Sequence, residues 1–103
     1  MTKVALLGAG GKMGVRLATN LKGSHFHVAH VEVSEAGRQR LKDAADITCV
    51  DENTALQDAD VVVLAVPDRK IGEITHAIID RLRSGAAIIV LKIFKFAAAI
   101  LRL

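Results

Sequence analysis

Lys3-Val4-Ala5-Leu6-Leu7-Gly8-Ala9-Gly10-Gly11-Lys12-Met13-Gly14 decides the fold of this chain. A short continuous apolar run meets a glycine-rich turn, and the turn opens directly into a helical pattern. The run Val4–Leu7 lacks the alternation of a strand wetted on one face, so it reads as a strand buried on both. Glycine allows the tight turn and a close backbone approach. The helix start that follows offers unpaired N–H groups and a positive dipole end. This is the arrangement a dinucleotide pyrophosphate requires. Gly8, Gly11 and Gly14 fit G-x-x-G-x-x-G, whereas taking Gly10 as the second glycine gives a spacing one residue longer than the usual fingerprint. The alternative is a tight turn that only packs helix on strand.

Outward from this stretch, strands and helices alternate. A helix is expected from about Gly11 to Lys22, with Met13, Leu17 and Leu21 facing the sheet and Gly23 as a left-handed stop. Val28–Val33 reads as the second strand, followed by a helix capped by Ser34 and anchored by Leu41. Ile47–Val50 reads as a short third strand. Thr54-Ala55-Leu56-Gln57 has the spacing of a capping box and marks a helical turn. Asp60–Val66 is the strongest strand pattern, stopped by Pro67. Asp68 then caps a helix with an apolar stripe of Ile71, Ile74, Ile78 and Leu82, and Ala87–Leu91 reads as a fifth strand. This alternation implies an α/β fold, a Rossmann-like doubly wound parallel sheet of about five strands in the order 3-2-1-4-5 with helices on both faces. Its crevice lies between strands 1 and 4 at their carboxyl ends.

Composition agrees. The 103 residues are 51% hydrophobic and 24% charged, with three Phe and neither Trp nor Tyr, so the body is packed with Val, Ile, Leu and Ala. The formal charge of +3 is spread over scattered basic residues, which speaks against nucleic-acid binding. The single Cys49 sits in an apolar run and reads as an inert thiol. His25, His27, His30 and His76 have no ligand spacing, so no metal site is expected. No apolar run reaches the length of a membrane span and no signal peptide precedes the first strand, so a cytoplasmic protein without a membrane partner is expected.

The candidate cofactor contacts follow from the crevice. The amides of Gly11, Lys12 and Met13 are the candidates for the pyrophosphate, with Gly8 and Gly10 shaping the turn. Glu32, 18 residues beyond Gly14 (32 − 14), is placed to accept both ribose hydroxyls of NAD and to repel the 2′-phosphate of NADP. Glu35 competes for this role but reads more simply as a dipole partner, and Arg38 and Arg40 are alternative receivers of a 2′-phosphate. NAD is therefore favoured over NADP. Ala65, Val66 and Pro67 form the other wall, against which a nicotinamide ribose fits.

Three segments together carry a resemblance: Gly-Ala-Gly-Gly-Lys-Met-Gly at 8–14, Ala-Asp-Val-Val-Val-Leu-Ala-Val-Pro-Asp at 59–68, and Arg-Ser-Gly-Ala-Ala-Ile-Ile-Val at 83–90. Residues 1–91 resemble the NAD(P)-binding domain of the 6-phosphogluconate dehydrogenase-like superfamily, which includes β-hydroxyacid dehydrogenases, and are most similar to its sugar-acid members, oxidoisomerases among them. The first motif alone also resembles dihydrodipicolinate reductase. The superfamily resemblance implies an NAD(P)-dependent oxidoreductase acting on a hydroxy acid or sugar acid. A second, mostly helical domain would supply the catalytic acid or base, the substrate pocket and the homodimer interface. No residue of this chain is nominated as catalytic, and the 103 residues alone are expected to be inactive.

Residues 92–103 depart from the family pattern, being strongly apolar with cations at 92, 95 and 102. A truncated or frame-altered end is the first reading. A helix or strand sealing the sheet edge of this or a second copy is the next, and a membrane-surface helix the last. Either of the first two favours self-association and a homo-oligomer, and a self-associating nucleotide-binding fragment without turnover is the alternative function.

Overall fold

The computed structural model describes residues 2–92 and 97–102, the side chains from residue 92 onward excepted. The chain runs β1 (Lys3–Leu7), α1 (Lys12–Leu21), β2 (His27–Val31), α2 (Glu35–Ala45), α3 (Glu52–Gln57), β3 (Val61–Leu64), α4 (Asp68–Ile78), a 3₁₀ turn (Ile79–Arg81), β4 (Ala87–Lys92) and β5 (Ala97–Arg102). The sheet order is β2-β1-β3-β4-β5. The first four strands are parallel, with Leu7 opposite Val31 on one side and Leu64 on the other.

The central strands β1 and β3 are buried on both faces, and period-two alternation sorts their side chains between two cores. Ala5, Leu7, Val62 and Leu64 point to the face covered by α3 and α4, where Leu56 and Ile78 are almost fully buried and Ile71, Ile74 and Leu82 pack around them. Val4, Leu6 and Val63 point the other way, onto Ala18 of α1 and Leu41 and Ala45 of α2. The doubly wound architecture is thus present. Along α1 the buried stripe centres on Gly14 and Ala18, with Met13, Leu17 and Leu21 half-buried beside it. Two small residues one turn apart let the helix approach the sheet closely. Gly23 has the expected left-handed φ of 85°.

Several sequence expectations are corrected. Ile47–Val50 is not a strand. Asp46 closes α2 in the left-handed conformation (φ 54°), and the amide of Ile47 turns back to the Leu41 carbonyl (3.4 Å). The chain therefore enters this segment already committed to a helix end, and only the Val50 amide reaches β2, at the His30 carbonyl (2.8 Å). Without that strand the other four keep the expected order, 2-1-4-5, here numbered β2-β1-β3-β4, with β2 at the sheet edge. The expected strand Ala87–Leu91 is present as β4, and a further strand, Ala97–Arg102, runs antiparallel to it with Ala87 opposite Arg102, which is the edge-sealing reading of the tail and makes the sheet mixed. Residues 93–96 and 103 of the apolar tail lie outside the described residues. Finally, Asp51, not Thr54, caps α3 by accepting the Thr54 amide (3.1 Å), and α4 begins after Pro67 with Asp68 as its first residue and no side-chain cap.

No helix among the described residues is long and apolar enough to cross a membrane.

Candidate functional site

A cleft of about 440 Å³ opens at the carboxyl ends of β1, β2 and β3. Parallel strands deliver their carboxyl ends to one edge of the sheet, and the crevice forms where the connections from neighbouring strands leave toward opposite faces. Here α1 leaves β1 toward one face and α4 leaves β3 toward the other. Of the candidates from the sequence, Gly8, Gly11, Glu32, Ala65, Val66 and Pro67 line the cleft, and the strand residues Leu7 and Val31 line it with them. Gly10, Lys12 and Met13 belong to the turn and helix start next to Gly11 and are not among the lining residues.

Gly8 makes the turn possible. Its φ is +78°, and a Cβ there would overlap the Ala65 carbonyl oxygen and stand 2.9 Å from Val66 Cγ1. The amides of Gly8 and Ala9 both donate to the Val31 carbonyl (3.0 and 3.1 Å), which carries the chain past the end of β2. The Gly11 amide then donates to the Gly8 carbonyl (3.2 Å) and the Gly10 amide to Glu32 Oε1 (2.9 Å). Gly11 therefore does not offer a free donor, a correction to its expected role. Lys12 and Met13, the first two residues of α1, make no backbone hydrogen bond as donors to any described residue. No acidic residue stands in the first turn and Gly11 supplies no side-chain cap. The positive end of the helix is left for an outside anion.

Glu32 stands just past β2, half-buried. Its carboxylate accepts the Gly10 amide with one oxygen and the Ser34 amide (3.0 Å) with the other. Two backbone donors fix its orientation and leave further acceptor positions on both oxygens. Gly37 of α2 packs directly on this side chain, while Ser34 caps α2 through the Gly37 amide (2.9 Å). Glu35 lies in the exposed first turn of α2, as a dipole partner should.

The arginines separate. Arg38 bonds weakly to the Glu32 carbonyl (3.4 Å), whereas Arg40 lines the cleft and donates Nε–H to the Gly10 carbonyl (2.8 Å). Sequence reasoning missed the lining by Val33, Glu52, Lys70, Glu73 and Ile74. Lys70 and Glu73 come from the first turns of α4, one helical turn apart and 4.0 Å from each other. Pro67 followed by a helical pattern was the available signal for α4 reaching the cleft. Glu52 has no such signal, since it arrives with α3 and is paired with Arg81.

Cys49 is half-buried against the α1–α2 face. Desolvation, and then the Glu32 charge, raise its thiol above the ordinary value, which keeps it protonated and unreactive.

Known proteins are similar to this chain in sequence and fold. The family described as NADP oxidoreductase coenzyme F420-dependent matches residues 3–91. D-apionate oxidoisomerase of Rhizobium rhizogenes is 56% identical over 91 residues, 88% of this chain and 33% of that protein. A crystal structure from Cupriavidus necator, described as a semialdehyde dehydrogenase NAD-binding protein in complex with calcium and NAD, has a TM-score of 0.87 at 53% identity, covering 89% of this chain and 33% of its own. Mycobacterium tuberculosis 3-hydroxyisobutyrate dehydrogenase shares the fold at 20% identity, with a TM-score of 0.70 over 88% of this chain and 33% of that one. The chain spans about a third of the length of the relatives it matches. With nearly all of its parallel sheet and both helical layers inside the matched range, the chain belongs to the NADP oxidoreductase coenzyme F420-dependent family.

Proposed function

We propose that this segment is the cofactor-binding domain of an NAD(P)-dependent oxidoreductase acting on a hydroxy acid or sugar acid, with NAD preferred. The observation that carries the reading is Glu32, a carboxylate oriented by two amides at the rim of a cleft, close to an uncapped helix start. The Lys12 and Met13 amides would receive the pyrophosphate, Glu32 the two hydroxyls of the adenosine ribose, and the Ala65–Pro67 wall the nicotinamide end. The glycine turn suits such a ligand, since it lets backbone come close to a diphosphate. Bound there, the nicotinamide supplies hydride transfer. What this segment contributes is position and charge selection: a fixed carboxylate accepts a 2′-hydroxyl and opposes a 2′-phosphate. The NAD complex of the Cupriavidus structure and the D-apionate oxidoisomerases among the relatives support the cofactor and the substrate class. No general acid or base is assigned within this segment.

Calorimetric titration with NADH and NADPH tests the proposal. Wild type should bind NADH more tightly, and Glu32→Ala should weaken NADH by about tenfold, the equivalent of ~1.4 kcal/mol, while narrowing the preference. Absence of heat with either dinucleotide ends this reading.

Self-association is a second reading, favoured by β5 standing as a terminal strand of the sheet, where its outer backbone groups form a pairing edge. Sedimentation velocity over a concentration series tests it, and a species that stays monomeric throughout removes it.

A further inference from the structure

Gly10 is the point at which the glycine turn, β2 and α2 are tied together. Its amide donates to Glu32 Oε1 (2.9 Å), its carbonyl accepts Nε–H of Arg40 (2.8 Å), and its α-carbon lies against the backbone of Gly37. Both hydrogen bonds come from side chains far along the chain, 22 and 30 residues away. Glycine has the widest choice of φ and ψ, so nothing within residue 10 itself holds these directions. The guanidinium is a charged donor, and its bond to a carbonyl is stronger than a neutral one. Rotation of the Gly10 backbone would move its N–H away from Glu32 and shift the Gly11 junction that starts α1.

We infer that Arg40 is a positioning residue for the dinucleotide, acting through Gly10 on the orientation of Glu32 and on the entrance to α1. The inference rests on the reading of the cleft as a dinucleotide site. It differs from a direct role in charge neutralisation. A side chain that only lent positive charge to a diphosphate would affect NADH and NADPH alike. One that held a 2′-phosphate would affect NADPH most. A residue that orients Glu32 affects the ligand Glu32 selects, which is NADH.

The test uses the 103-residue chain carrying Arg40→Met, its folding checked by thermal unfolding. Two measurements are made: backbone amide hydrogen exchange without ligand, and titration with NADH and NADPH. The expected results are at least tenfold faster exchange at Gly10, an NADH affinity about tenfold weaker, and a smaller loss for NADPH, so that the preference narrows. Unchanged Gly10 exchange, equal losses for the two dinucleotides, or a larger loss for NADPH overturns the inference. If the wild-type chain binds neither dinucleotide, the assignment falls together with the site. The exchange result, which needs no ligand, then distinguishes a wrong site from a wrong residue.

Discussion

A Cβ on Gly37 would stand 2.6 Å from the carboxylate carbon of Glu32 and 2.7 Å from Ser34 Oγ. The absence of a side chain in the first turn of α2 thus sets the place of an acid on the preceding strand end. Gly37→Ala should improve helix propensity by up to ~1 kcal/mol, yet push the Glu32 carboxylate off its two amides. The expected outcome is a thermal stability close to wild type with an NADH affinity about tenfold lower. Calorimetry beside a thermal melt checks both halves, and an unchanged affinity would show that Glu32 needs no such space.

Gly8→Ala should behave differently, because its cost is structural. The left-handed φ of +78° costs an alanine about 1–2 kcal/mol, and overlap with the Ala65 carbonyl adds overpacking of similar size. The obstacle is backbone of the neighbouring strand connection and has little room to yield. A loss of roughly 3 kcal/mol is expected in urea unfolding, large beside the marginal stability of a small domain.

His30 sits half-buried in β2, and burial lowers its pKa below the ordinary 6.5. The unfolded chain therefore binds a proton at His30 more readily than the folded one. Stability should be full above pH 6.5 and decline as pH falls below it toward the depressed folded value. His30→Gln should flatten that part of the curve. Midpoints of thermal unfolding between pH 7.5 and pH 5 supply the check, and parallel curves for the two proteins would contradict the assignment.

Asp46 ends α2 at φ 54°, with its carboxylate 2.9 Å from the Lys42 ammonium. The Lys42 hydrogen bond and charge hold its carboxyl below the usual range. Both side chains are exposed, so solvent screens this i,i+4 ion pair and it contributes little. The left-handed backbone costs a non-glycine residue more than that. Asp46→Gly should consequently raise stability by about 0.5 kcal/mol, seen as a melting temperature higher by roughly 2–4 °C.

How far the residues alone lead can be judged element by element. The Val4–Leu7 run, the Gly8–Gly14 turn and the Val61–Leu64 run each carry their own signal, since apolar continuity and glycine spacing are local properties. Glu32 is legible for the same reason, being placed by its distance from the turn. Ile47–Val50 has strand-like composition but is spent closing α2, and one amide bond to His30 makes no ladder. A strand exists only through a partner, which composition does not reveal. The return of Ala97–Arg102 along β4 is left as one of three readings of the tail for that reason too.

The sequence by itself determined the βαβ beginning, the two-sided burial of β1 and β3 and the acid at the cleft, because periodicity and turn chemistry act within a few residues. Only the tertiary structure decided that the Gly10 amide belongs to Glu32, that the Gly10 carbonyl belongs to Arg40, and that Lys70 and Glu73 border the same cleft. Those relationships join residues tens of positions apart. They arise when the helices on opposite faces of the sheet bring their first turns to one edge.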